Sequence, residues 1–262
     1  MDNQDIVLVR GGGDLASGIV HRLVRCRFPV VISEISQPTV IRRTVAFAQA
    51  VYSREAVVEG IGARHVALGD ARGLLTMGLI PVLTESYEEI LRYFNPWAVV
   101  DAIVAKRNLG TRIDDARVTV GIGPGFCAGE DVHAVVETMR GHDLGKVITA
   151  GAAAPDTGIP GDIAGYSSER LLRAPCDGII KNKAEIGSVV KKGDAVAFIH
   201  DEPLVATLDG VLRGLINDGL TVSKEMKVGD IDPRCRREHC FTISDKARAV
   251  AGGVLEALLS MR

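Results

Sequence analysis

Three clusters of residues carry chemistry by type and spacing. The first is Gly11-Gly12-Gly13-Asp14, set between the apolar run Ile6-Val7-Leu8-Val9 and a segment in which Leu15, Ile19 and Leu23 recur at helical spacing. Gly11 suits a tight turn, Gly13 lets a phosphate approach the backbone, and the free N–H groups of a helix start point at an anion. Glu34 follows about 20 residues later at the end of Val30-Val31-Ile32, where a carboxylate can accept from ribose hydroxyls and repel a 2′-phosphate. Gly11, Gly12, Gly13, Asp14 and Glu34 are therefore candidate cofactor-binding residues. The same pattern also serves as a plain βα turn with Asp14 capping the helix.

The second cluster is Lys106-Arg107-Asn108-Leu109-Gly110-Thr111-Arg112, a loop dense in donors just beyond Asp101. Lys106 and Asn108 are candidates to grip phosphate, or members of a solvated turn. The third runs from Gly123-Pro124-Gly125-Phe126-Cys127 to Arg140-Gly141-His142. Gly123 and Gly125 allow close backbone approach to a ligand. Arg140 offers a bidentate fork, His142 a proton shuttle and Cys127 a thiol, so these three are the catalytic candidates. Their structural alternatives are an Arg140 pair with Glu137 or Asp143, a hydrogen-bonded His142, and a Cys127 that only fills a small pocket. Cys235, His239 and Cys240 offer part of a metal set without a fourth ligand in view, so no metal site is predicted.

These clusters need a scaffold that brings strand ends and helix starts together. Ile80-Pro81-Val82-Leu83 reads as a strand, Tyr87 to Phe94 as a helix stopped by Asn95-Pro96, and Trp97-Ala98-Val99-Val100 as a strand ending at Asp101. Open α/β sheets place their ligand crevice at such strand ends. The expectation is an α/β fold: a Rossmann-like parallel-sheet domain over residues 1–165 with glycine-rich middle loops. A small β module over 166–235 and a C-terminal helix segment over 236–262, packing back on the core, follow it. The β module is expected because a segment repeats. Cys176-Asp177-Gly178-Ile179-Ile180 matches Leu208-Asp209-Gly210-Val211-Leu212, and Lys191-Lys192-Gly193-Asp194 matches Lys227-Val228-Gly229-Asp230. This repeat resembles the flattened barrel-sandwich of lipoyl and biotinyl domains. His200-Asp201-Glu202-Pro203-Leu204-Val205, where a carrier would hold its modified Lys, has none, so a swinging-arm role is not expected. The last helix should start at Ser244 and carry Val250, Val254, Leu255, Leu258 and Leu259 on one face. Gly252-Gly253 imply a bend or a close contact within it.

Bulk composition narrows the partners. The chain has 262 residues, 31 basic against 33 acidic side chains, and a formal charge of −2, which argues against broad nucleic-acid binding. No run approaches the roughly 20 apolar residues that span a bilayer, so no membrane role is expected. Met1 to Asp5 lacks the features of a secretion signal and the five scattered cysteines read as reduced thiols, so a cytoplasmic location is expected.

With the motifs RGGGDLASGIVHRL, QPTVIRR, DAIVAKRNLGTRI, GIGPGFCAGEDVHAVVETMRGHDLG, TGIPGDIAGYSSERLLRAP, DGVLRGLINDG, VGDIDPR and SDKARAVAGGVLEAL, the chain resembles the YqeB-type family of selenium-dependent molybdenum hydroxylase accessory proteins. Its first part is similar to XdhC-like maturation factors. Cys127 departs from the pattern, where Thr is expected. The resemblance implies a role in maturing a xanthine dehydrogenase-like molybdenum hydroxylase apoprotein, with molybdopterin cytosine dinucleotide held at the glycine turn. From Gly11, Gly13 and Glu34 alone, an NAD-dependent oxidoreductase is a second reading. A third is a non-catalytic scaffold docking a partner through the β module. Whether the chain catalyses a reaction, and whether it forms a homo-oligomer, the sequence leaves open.

Overall fold

The computed structural model describes residues 6–159 and 161–262; Met1 to Asp5, read above for a secretion signal, and Pro160 lie outside the described residues. The chain divides into two compact units. The first comprises residues 1–38, 46–157 and 243–262, the second 39–45 and 158–242.

The first unit begins with β1 (Val7–Arg10), α1 (Asp14–Arg25) and β2 (Val30–Ser33). A short α2 (Ala50–Ser53) leads to the hairpin β3 (Glu55–Val58) and β4 (Ile61–His65), then α3 (Ala71–Thr76), β5 (Ile80–Leu83), α4 (Tyr87–Phe94) and β6 (Ala98–Asp101). Next come β7 (Val118–Ile122), β8 (Cys127–Ala128), β9 (Ala134–Val136), β10 (Val147–Ile148) and β11 (Gly151–Ala152). β1, β5, β6 and β7 are buried along their whole length, as the wholly apolar sequence of β5 and the largely apolar sequences of the others require. Helix α4 starts on a capping box, with the Ser86 hydroxyl accepting from Glu89 N and Glu89 reaching back to Ser86 N, and ends at Asn95 in the left-handed conformation.

These strands form one nine-stranded sheet in the order β10-β9-β7-β6-β1-β2-β5-β4-β3. The seven inner strands from β9 to β4 run parallel to their neighbours, whereas β10 and β3 pair antiparallel at the two edges. The sheet is therefore mixed. This corrects the expected Rossmann-like parallel sheet. The physical reason lies in the crossovers: among the described residues, those from β6 to β7 and from β7 to β9 carry no α-helix, so the βα alternation stops halfway. The missing cover comes from the far end of the chain. Helix α5 (Asp245–Ser260) packs on α1 and on β7, β9 and β10. Gly18 of α1 allows that approach, because a Cβ there would lie 2.8 Å from the Ala247 Cβ. A Cβ on Gly253 would collide with the Gly145 carbonyl oxygen, so of the two meanings of Gly252-Gly253 the close contact is the one present. Ser244 caps α5, its hydroxyl accepting from Ala247 N at 3.2 Å.

The second unit contains β12 (Leu171–Arg173), β13 (Gly178–Asn182), β14 (Val189–Val190), β15 (Ala195–Ile199), β16 (Glu202–Val205), β17 (Gly210–Leu215), β18 (Thr221–Val222) and β19 (Lys227–Asp232). They make two four-stranded sheets, β12-β19-β17-β14 and β16-β15-β13-β18, antiparallel throughout. Two separate sheets, rather than a lipoyl-like barrel-sandwich, are the second correction to the expected fold class. The internal repeat has a direct physical expression all the same. Asp177 Oδ1 accepts from Lys224 N at 2.7 Å, and Asp209 Oδ1 accepts from Lys192 N at 2.8 Å, so each Asp-Gly turn accepts from a lysine N–H of the other copy. Among the described residues no helix is long and apolar enough to cross a membrane.

Candidate functional site

The site is the carboxyl edge of the parallel strands in the first unit, where β1 ends at Arg10, β2 runs on to Glu34, β6 ends at Asp101 and β7 runs on to Gly123. The glycine turn lies at its centre. Gly11 adopts φ +89°, and a Cβ there would press on the Ala102 backbone at 3.2 Å; a Cβ on Gly12 would sit 2.8 Å from Ala48 N. Ala48 N donates to Gly12 O at 2.9 Å, and Ser17 Oγ donates to the same oxygen at 3.2 Å while accepting from Phe47 N. Gly11 and Gly12 thus serve the approach of the chain's own backbone. Gly13 is the N-cap of α1, without a side-chain cap, and Asp14 is the first helical residue rather than the cap. A carboxylate in that position still favours the positive end of the helix dipole.

Glu34 is engaged from both sides. Its Oε2 accepts from Gly12 N and its Oε1 from Ile35 N, each at 2.8 Å. Burial pushes its carboxyl above the ordinary range, against the pull of those two N–H groups.

Arg10 and Asp101 form a buried pair at 3.2 Å, closed by Thr111, whose hydroxyl donates to Asp101 Oδ2 at 2.6 Å and also meets Arg10. The Arg10 guanidinium donates to Leu109 O at 3.2 Å and stacks 3.8 Å above the Tyr87 ring, whose hydroxyl donates to Asp115 at 2.6 Å. Burial and then Asp115 drive the Tyr87 phenol far above its ordinary value. Asn108 holds the loop from inside, accepting from Gly110 N and Thr111 N at 2.9 Å and donating to Thr111 O at 2.7 Å. Lys106, at φ +63°, pairs with Asp156 at 2.5 Å. Gly123 and Gly125 both have positive φ; a Cβ would meet Thr138 Oγ1 at the first and Arg107 N at 2.5 Å at the second. The two donor-rich loops of the sequence are therefore in contact through Gly125 and Arg107.

Cys127 donates its N–H to Asp131 Oδ2 at 2.8 Å, and its thiol is pushed up by desolvation and by Glu130 and Asp131. Among the groups acting on that thiol there is no cation: Lys106, Arg140 and His142 are absent from them. Arg140 pairs bidentately with Asp245 of α5 at 2.7 and 2.9 Å, in place of Glu137 or Asp143. His142 is exposed. Among the described residues no group of His, Cys, Asp and Glu could hold a metal ion.

Two residues of this edge were not among the site candidates: Glu137, read in the sequence only as an alternative partner of Arg140, and Lys246. Glu137 is buried and accepts from Thr138 N and Met139 N at 2.6 Å and from Ala154 N at 2.7 Å. Lys246, on α5, is half-buried; burial and then Arg140 lower its pKa, against the pull of Asp14, Glu137 and Asp156. One local signal existed: a lysine in the first turn of a helix opposes the dipole and needs another reason to be there. Lys246 brings a cation into the field of Asp14 at the start of α1. This arrangement can hold an anion between helix N–H groups and an ammonium group; it supplies neither an activated thiolate nor a metal.

Fold and site together define a mixed-sheet α/β protein with a polar, cation-bearing carboxyl edge. Along nearly its whole length the chain is a relative of the uncharacterized protein YqeB of Escherichia coli (strain K12), with 49% identity over 257 residues, which are 98% of this chain and 48% of that one. It spans about half the length of the curated relative it matches, and this likeness supports the YqeB-type resemblance over that half. No protein-family model matches the chain. Similar solved structures include an aspartoacylase family protein from Mesorhizobium loti, at 10% identity, 87% of this chain, 84% of that one and a TM-score of 0.27. A succinylglutamate desuccinylase/aspartoacylase from Rhodobacter sphaeroides matches at 12% identity over 87% and 85%, with a TM-score of 0.29. The product-bound ectoine utilization protein EutE (DoeB) from Ruegeria pomeroyi matches at 12% over 86% and 56%, with a TM-score of 0.23. Scores this low carry no argument about this chain.

Proposed function

We propose that this chain is an accessory protein in the maturation of a molybdenum hydroxylase and holds an anionic, nucleotide-bearing cofactor, of the molybdopterin cytosine dinucleotide type, at its carboxyl edge. The family resemblance supports the setting; the identity to YqeB supports only the resemblance to that family. The observation that carries the binding reading is Lys246: a half-buried ammonium at the start of α1, where phosphate would meet both it and the first-turn N–H groups. Asp14, Glu137 and Asp156 offset part of the cost of burying that charge, and a phosphate would add to them. Residues able to hold the cofactor are Gly13, Lys246 and the first turn of α1. When bound, it would supply the dithiolene-held molybdenum chemistry of the hydroxylase; this chain's residues bind and orient it.

The nicotinamide reading has less support, because Glu34, its ribose acceptor, is already engaged by Gly12 N and Ile35 N. Native mass spectrometry of freshly purified protein tests the proposal. A pterin dinucleotide mass, weakened about tenfold or more in Lys246→Ala and accompanied by activation of the apo-hydroxylase, is the expected result. A nicotinamide dinucleotide mass, or full activation by Lys246→Ala, overturns it.

A further inference from the structure

The opposite end of the parallel strands holds a second feature. Helix α1 ends at Arg25, turns through Arg27 at φ +71° and enters β2; helix α3 ends at Thr76, turns through Gly78 at φ +73° and enters β5. β2 and β5 are neighbours in the sheet, so two αβ turns of like geometry stand side by side at their amino ends. Between them lies a cleft of about 320 Å³, lined by Val24, Arg27, Phe28, Pro29, Val30, Leu75, Gly78, Leu79 and Ile80.

Its chemistry is uneven in a specific way. Phe28, Val30 and Ile80 are buried and form the floor, Val24, Leu75 and Leu79 are half-buried walls, and Arg27 is an exposed cation at the rim. Arg262 lies 5.8 Å from the centroid of the Phe28 ring and is not among the residues lining the cleft, which leaves Arg27 as the cation of its lining. Such a volume falls at the lower end of small-molecule sites, roughly 300–1,000 Å³, which pair an apolar lining with a few polar groups that orient the ligand.

We propose that this cleft binds a compact apolar molecule bearing one carboxylate, its body against the half-buried Val24, Leu75 and Leu79 and its charge toward Arg27. The glycine turn lies at the other end of β1 and β2, so this site is separate from the proposed cofactor edge. A fluorescence titration of the full chain with 1-anilinonaphthalene-8-sulfonate, displaced by decanoate, decanol or decylammonium, tests it. Decanoate should displace the dye at about threefold to fivefold lower concentration than decanol, with decylammonium weakest, the size of effect an exposed charge pair supports. Arg27→Asn, which tolerates the left-handed backbone, should bring decanoate to the level of decanol and leave decanol unchanged. Val24→Trp should fill the cleft and abolish both; Leu79→Trp does the same from the other wall if the first variant does not fold. Equal competition by decanoate and decanol in the parent chain, no dye binding at all, or decanoate affinity retained in a folded Trp variant overturns the proposal.

Discussion

The two ends of the parallel strands follow opposite rules. At the carboxyl edge nearly every polar group is engaged by the chain itself: Glu34 by two N–H groups, Glu137 by three, Asp101 by Arg10 and Thr111. At the amino end, apolar side chains face an open cleft with a cation at its rim. Pre-engaged acids make a rigid frame that can hold an anion only where a cation such as Lys246 enters it. An apolar cleft selects by shape and burial. One end depends on charge balance, the other on volume.

The largest expected effect comes from breaking that balance. Asp101→Ala leaves the Arg10 guanidinium buried without its carboxylate and should cost about 3–5 kcal/mol in denaturant unfolding. If the loss were below about 1 kcal/mol, Tyr87 and Leu109 would be compensating the charge unaided. Gly253→Ala should follow, at about 1–3 kcal/mol, because its Cβ must displace the Gly145 carbonyl. A thermal melt that does not move would mean that α5 slides freely on its neighbours.

Cys127 sharpens the comparison by chemistry. Its raised pKa means that the thiol is protonated through the neutral range, so iodoacetamide labelling followed by mass spectrometry should be slower than for a free thiol at pH 8. Labelling should keep rising with pH beyond the point where a free thiol levels off. Cys127→Thr should leave cofactor binding unchanged; fast labelling at neutral pH would return the thiol to the mechanism. Arg140→Ala should have the smallest effect, about 0–1 kcal/mol, since the pair with Asp245 is solvent-exposed on both sides. A larger loss would show that this pair, rather than the α1–α5 packing, anchors the last helix.

What could be read in advance was local. The strand–glycine turn–helix beginning, the stop at Asn95-Pro96 and the Ser244 cap follow from neighbouring residues, and the structure has them. The Asp-Gly and lysine turns of the repeat could also be paired, because copying within a chain leaves a visible trace. The sheet class could not. Its departures from a parallel α/β domain are the helix-free crossovers between β6 and β9, and nothing in residues 102–133 announces that their cover lies more than a hundred residues away. Glu34 was legible as a carboxylate at a strand end, but its partners depend on how the glycine turn folds back. Arg140 found Asp245 rather than a neighbour, and Lys246 entered the edge by the same long-range route.

That route constrains the order in which the first unit can form on the ribosome. β1 to β11 are synthesised first, then residues 158–242 of the second unit, and only afterwards the helix that covers β7, β9 and β10. During this interval the apolar face of Val120, Ile122, Ala134 and Val136 has no helix to cover it, and closure awaits a contact of high sequence separation. The nascent chain is then most exposed to mispairing and to chaperone capture. Lys246 arrives with that same helix, so it joins Arg10 and Lys106 at the carboxyl edge only when the last helix docks.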